Sequence, residues 1–327
     1  MKKITIYQKQ KNLKESLPMP VLSIIACEML EDELVYILSK DENLNKLLVA
    51  ENRQCFRFVR KLKSKNCHPR FFPLDRISFF LKEMNTPMSV KISNILLRVP
   101  FVGKVLENMK NKNGEIITVV VNILRLDLHI DCEILRSEIC RNIREMANFS
   151  DGILLFYGNC GHSLRSLEAD FENLGCSLYF LKDGNEDIVD DCISVALGGN
   201  DIYAEVMQSG NGIGMFYLTP MWASSWGKMK KESSDTASFD KSFLKNPLYK
   251  KMYKKVVKIS NEISNGEEFD TNIINFSRTF DMSIVEIKGS MEIARKSYLD
   301  ARNNVCKKKY QIQKQLDTCA ECNTIRT

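Results

Sequence analysis

The chain has 327 residues, 44% hydrophobic and 27% charged, with a formal net charge of +6. That composition supports a large buried core, either as one big α/β domain or as two smaller ones. The basic surplus sits in short runs (Lys228–Lys231, Lys250–Lys258, Lys307–Lys309), which read as solvated helix faces; no nucleic-acid-binding module accompanies them. The first twenty residues carry lysines but no apolar core of a secretory signal. No window holds about 18 uninterrupted apolar residues, so no membrane span is expected. A cytoplasmic location follows as the expectation. There the eleven cysteines would stay reduced and serve metal binding, catalysis or plain packing rather than a disulfide framework.

In chain order, residues 1–19 read as an N-terminal extension. "VLSIIAC" (21–27) reads as the first strand, followed by a helix whose Leu30, Leu34, Ile37 and Leu38 recur at helical spacing. "QCFRFVR" (54–60) reads as a second strand. Residues 66–115 are punctuated by Pro69, Pro73, Pro87 and Pro100 and read as a mainly helical insertion. Strand and helix then alternate: "ITVVVNILRL" (117–126), helix 132–147, "GILLFY" (152–157), helix 164–174, "SLYFL" (177–181), and helix "DDCISVALGG" (190–199). After "IGMFYLTP" (213–220), residues 223–243 read as an exposed Ser-, Lys- and Asp-rich loop. Strand 254–260, helix 269–280, strand 283–289 and helix 291–304 complete a domain spanning 20–305, with a helical extension or tail over 306–327. Continuous apolar strands between amphipathic helices imply a doubly wound, Rossmann-like α/β fold, its mostly parallel sheet covered by helices on both faces.

In such a sheet all strands point one way, and the residues that follow them gather on the carboxyl edge, where ligands bind. Cys27 follows the first strand, His129 lies in "DLHID" after the strand from 117, and Cys160 follows "ILLFYGN". Cys192 opens the helix after 177–181. Three thiols and an imidazole are a set that zinc binds tetrahedrally, and an iron–sulfur cluster could use the thiolates. Helix N-termini at that edge are expected to favour thiolates. His162, Asp190 and Asp191 are alternative ligands, and Gly158 and Gly161 allow a sharp turn and a close approach. Taken singly, each cysteine reads as a small buried residue, and His129 as a helix cap or a core histidine. The case for chemistry lies in their shared topological position. Cys319 and Cys322 form a lone CxxC near the end, and Cys132 and Cys140 share a helix face and read as packing. "GNGIG" (210–214) precedes a strand and so is not a dinucleotide fingerprint.

The ordered segments "LSIIACEMLEDEL", "LHIDCEILRSEI", "DGILLFYGNCGHSL", "DDCISVALGGNDIYAEV" and "GMFYLTPMW" resemble domain-of-unknown-function family 1638 over about residues 20–300. The resemblance implies recurring thiols at Cys27, Cys160 and Cys192 and a "YLTP" box at Tyr217, Leu218, Thr219 and Pro220 with Trp222 beyond. Family members usually have His-Asp-Cys where this chain has Asp190-Asp191-Cys192. The resemblance also implies a setting in anaerobic archaea (methanogens) and bacteria, near corrinoid-dependent methyltransferase genes. The expected function is therefore a metal- or cofactor-handling protein serving corrinoid-dependent methyl transfer. Zinc is its expected ion, iron–sulfur or corrinoid contact the lesser options, and a corrinoid protein or methyltransferase its partner. The alternative is a non-catalytic accessory or ligand-sensing protein.

Overall fold

The computed structural model describes residues 19–84, 116–164, 166–232, 251–264 and 266–325. Most of the expected N-terminal extension, the greater part of the expected insertion and the segment 233–250 lie outside them.

The apolar run Val21–Cys27 forms β1, buried along its whole length, and Ile117–Leu124 forms β4, equally buried. Strands buried on both faces need parallel neighbours and helical cover, because neither face is left for solvent. A six-stranded sheet results, in the order β3-β2-β4-β1-β5-β6, with β2 at Leu44–Ala50, β3 at Arg70–Phe72, β5 at Gly152–Phe156 and β6 at Ser177–Phe180. Every pairing in it is parallel. The helices are α1 (Glu31–Lys40), α2 (Cys55–Ser64), α3 (Leu74–Met84), α4 (Cys132–Ala147), α5 (Leu167–Asp170), α6 (Cys192–Leu197), α7 (Asn200–Ser209), α8 (Pro220–Glu232), α9 (Glu267–Phe280) and α10 (Glu292–Ile325). Helices α4 and α10 both pack on β1 and β5. This is the doubly wound α/β architecture. A second parallel sheet, β7-β8-β9 (Gly214–Leu218, Tyr253–Ser260, Ser283–Lys288), stands apart from the first. Among the described residues no helix is long and apolar enough to cross a membrane.

Several local expectations change. Residues 54–60 are not a strand: Cys55, Phe58, Val59 and Leu62 are the buried positions of α2, and their i, i+3, i+4, i+7 spacing is a helical stripe. The second strand is instead Leu44–Ala50. Its polar first half (Leu44, Asn45 and Lys46 only partly covered or exposed) hides it from a search for apolar runs. Residues 70–72 add an edge strand within the segment expected to be mainly helical. The expected helix over 164–174 shrinks to the single turn Leu167–Asp170. The first part of the expected loop at 223–243 is helix, opened by Pro220 at its first position, where the missing N–H costs nothing.

Polar groups in the core are tied in pairs. Asn122, in mid-β4, donates to Asn142 Oδ1 at 2.6 Å and accepts from Asn52 at 2.9 Å. Buried Glu31 is ion-paired with Arg57 (2.7 Å) and Lys61 (2.6 Å), and Lys61 also pairs with Asp32. Glu33 differs: it is 1% exposed and neither carboxyl oxygen has a hydrogen-bond partner. Burial, reinforced by the Asp32 charge, pushes its pKa up to about 8, against a smaller pull from Lys61. The folded chain therefore holds a proton that the unfolded chain gives up from about pH 4.5. Stability on this account is highest below pH 4.5 and is lost as pH rises to about 8. Glu33→Gln should raise stability at pH 7.5 by about 1–3 kcal/mol and flatten that decline, as read by urea unfolding at pH 5.5 and 8.5. An unchanged pH profile would refute the assignment.

Candidate functional site

The order β4-β1-β5 places three chain exits side by side. β1 ends at Cys27, β4 runs into the turn Leu126–Ile130 that carries His129, and β5 runs into the turn Cys160–His162. The fourth segment arrives from β6: the Asn159 N–H donates to the Val189 carbonyl at 2.8 Å and draws Asp191 and Cys192 against the end of β5. The fit is close. A methyl group on Gly158 would lie 2.2 Å from the Asp191 backbone carbonyl carbon, so only glycine allows the two backbones to pass. Gly161 turns at φ +56°, and a Cβ there would strike the Cys132 sulfur, 1.9 Å away. Cys132 thus packs beneath the Cys160 turn.

Three sulfurs meet at this point. The Cys160 thiol interacts with that of Cys192, and Cys192 in turn with Cys27. The Cys27 sulfur also accepts a backbone N–H, from Met29 at 3.4 Å. Cys27 and Cys192 are 3% and 5% exposed, and Cys160 is half-buried at the mouth. The thiols do not behave as the helix N-termini alone suggest. The hydrogen bond with Cys192 and then burial push the Cys160 thiol up. At Cys192 the bond with Cys160 lowers the pKa, but the bond with Cys27 and burial outweigh it, and the thiol rises well above its usual value. These two groups are thiols, not thiolates, at neutral pH, because each ionised sulfur would sit in a dry site beside another.

His129 lines the same cavity. Its Nδ1 bonds to the Leu126 carbonyl, which only an N–H can satisfy, so the neutral ring keeps its lone pair on Nε2. The turn is held against β1 by Glu28, the residue after Cys27, which accepts the Leu126 N–H at 3.1 Å and pairs with Arg57 at 2.9 Å. Arg57 reaches on to Ser225 of α8 at 2.6 Å. Sequence reasoning missed Glu28 and Arg57, because their role depends on a pairing between segments remote in sequence.

The cavity measures about 310 Å³. One wall is Cys27, Cys160, Cys192, Asp191 and His129. The other comes from the second sheet: Met215, Phe216, Tyr217 and Tyr253, with Trp222 from α8. Among the described residues, no lysine or arginine lines it. Asp191 caps α6 by accepting the Ser194 N–H at 2.7 Å, and burial raises its pKa. The Tyr217 hydroxyl is buried without a hydrogen-bond partner, and its ring meets Tyr203 edge-on at 5.3 Å. Thr219 lies behind the wall: it caps α8 at Trp222 N–H and donates to Met29 Sδ at 3.6 Å. His162 and Asp190 are exposed and outside the lining. Among the described residues, no group of three or more His, Cys, Asp or Glu side chains is spaced to hold a metal ion as it stands. Cys319 and Cys322 lie on α10 beyond the described side chains.

A family model described as "Protein of unknown function (DUF1638)" matches residues 123–298, more than half of the chain. The chain belongs to the DUF1638 family. The matched span includes His129, Cys160, Cys192 and the Tyr217–Trp222 wall, and begins after Cys27. No curated protein and no solved structure matches the chain.

Gly158→Ala should force the Asp191–Cys192 segment away from β5, at a cost of about 1–3 kcal/mol in stability. Cys192 should then become alkylated by iodoacetamide in the native protein, where the parent leaves it unmodified. Equal stability and equal protection, measured by thermal unfolding and peptide mass mapping, would show that the contact is not a constraint.

Proposed function

We propose that the chain handles a thiophilic metal ion at the Cys27–Cys160–Cys192 cluster, with His129 Nε2 as the fourth donor. The observation that carries this reading is the convergence of Cys27, Cys160, Cys192 and His129 on one cavity, with the Met29 N–H already donating to the Cys27 sulfur. Such hydrogen bonds stabilise anionic sulfur, and a neutral thiol gains little from them. Loading requires the thiols to shed their protons and the sulfurs to close on one centre, so binding should strengthen as pH rises. The anchored Nδ1 of His129 fixes the ring for ligation in the manner of metal-site histidines. A bound zinc ion would act as a Lewis acid on a ligand in the cavity.

The cavity exceeds the needs of an ion, which supports a small organic ligand beside it. Among the described residues the lining offers thiol, aromatic and thioether groups, one imidazole and one carboxyl group but no lysine or arginine, and this favours an uncharged molecule over an anion. Phe216, Trp222 and Tyr253 would hold it and exclude water; Tyr217 would donate its hydroxyl to it. Service to corrinoid-dependent methyl transfer belongs to this proposal through the family resemblance. Iron–sulfur or corrinoid contact remains the lesser option, and a methyltransferase component the natural partner. The spacing of the donors favours a second reading, a ligand-sensing module whose thiols only pack.

Protein purified without oxygen should carry about one equivalent of a transition metal per chain, and Cys160→Ser should lower it at least about threefold. Substoichiometric metal, below about 0.2 equivalents and indifferent to Cys160→Ser, would overturn the metal reading and leave the sensing one.

A further inference from the structure

A second cavity, of about 540 Å³, opens at the amino end of the first sheet, the edge opposite the thiol cluster. Its base is Asp151, which precedes β5, and Cys176 to Leu178 at the start of β6. One wall is α10, where Val305, Lys308, Lys309 and Ile312 stand at i, i+3, i+4 and i+7 and so share a helix face. The other is α5 and the turn after it, which supply Glu168, Phe171, Glu172 and Leu174. The long helix is held close to the sheet: a Cβ on Gly152 would lie 2.6 Å from Val305 Cγ2. Lys309 is committed to Asp151 at 2.7 Å, and the second Asp151 oxygen accepts the Val21 N–H at 2.8 Å. Lys308 is not committed in this way. It donates to the Ser177 hydroxyl at 2.6 Å and has no carboxylate partner among the described residues. Glu168 and Glu172 likewise have no cationic partner among the described residues.

Exposed single charges are ordinary on a protein surface. Their division here is not: an ammonium on one wall, two carboxylates on the other, and Phe171, Leu174, Leu178 and Ile312 completing the lining. A simple anion would be drawn to Lys308 and repelled by both glutamates, and a simple cation would meet the reverse. A molecule that carries both charges on an apolar body complements all three groups and covers the apolar lining. The cavity has the size of a small-ligand site and is more than one amino acid fills. We propose that it binds a short apolar peptide with free termini. The peptide carboxylate pairs with Lys308, its ammonium with Glu168 and Glu172, and its side chains cover Phe171, Leu174 and Ile312. This site is separate from the thiol cavity and does not depend on the metal reading.

The test titrates the full chain with leucyl-leucine, its N-acetyl form and its C-terminal amide, read by calorimetry. The unmodified dipeptide should bind, and each blocked form should bind about five-fold more weakly, the size of one exposed ion pair. Lys308→Ala should bind leucyl-leucine more weakly and no longer distinguish it from the amide. Glu168→Gln with Glu172→Gln should no longer distinguish it from the N-acetyl form. All three positions are exposed, so the unfolding temperatures of these variants should match that of the parent. No binding of leucyl-leucine at millimolar concentration, or equal binding of all three peptides, would overturn the proposal. So would a discrimination between them that survives the substitutions. A concentration-dependent dimer in sedimentation, abolished by Lys308→Ala and unaffected by the peptide, would assign the cavity to a second copy of the chain and overturn it as well.

Discussion

Strand β1 lies between two parallel neighbours, β4 and β5, with every residue from Val21 to Cys27 buried. Sequence neighbours of β1 continue to one side of it, through β2 and β3 back to β4, and only then does the chain cross to β5 and β6. The reversal occurs at β1, and a crevice must open where the connections part in opposite directions. Cys27 ends the strand at that crevice. The His129 turn leaves from one neighbour and the Cys160 turn from the other, so the chemistry of the site follows from the pairing of three strands.

The second sheet completes the crevice. β7 and β8 present Met215, Phe216, Tyr217 and Tyr253, and α8 adds Trp222 from beyond the Thr219 cap. Thiol on one side and aromatic ring on the other make a dry site. Dryness has two opposed effects. It holds the Cys160 and Cys192 thiols in their protonated form, and it magnifies any interaction that stabilises an anionic sulfur once a cation is present. The Met29 N–H aimed at the Cys27 sulfur matters for this reason: it offsets part of the cost of charging a buried cluster. Glu28 and Arg57 serve the site indirectly, by joining β1 to the Leu126 turn and to α8.

Much of this architecture was legible in the residues. Continuous apolar runs such as "VVVNIL" can only be doubly covered parallel strands, and the position of Cys27, Cys160, Cys192 and His129 after strands led to one edge. What could not be read has physical causes. β2 begins with partly exposed polar residues, so it lacks the apolar signature, while α2 has bulky residues whose helical spacing in a short stretch mimics a strand. The separation of β7–β9 into their own sheet depends on pairing, which local pattern does not encode. The protonated state of the cluster depends on how closely the sulfurs approach one another, and topology alone does not set that distance. The exposed positions of His162 and Asp190 follow from the left-handed turn at 161–162 and from the backbone bond of Asp190 to Asn200, neither visible in spacing.

The central claim is that sulfurs remote in sequence share one pocket, and a trivalent arsenical reports this directly, since one arsenic atom bridges two thiols only when both are within bonding reach. Phenylarsine oxide added to the reduced native chain should yield a single bridged adduct, with arsenic joining the peptide of Cys192 to that of Cys160 or Cys27. Arsenic found only on unbridged cysteines, or bridging pairs that exclude Cys192, would contradict the account.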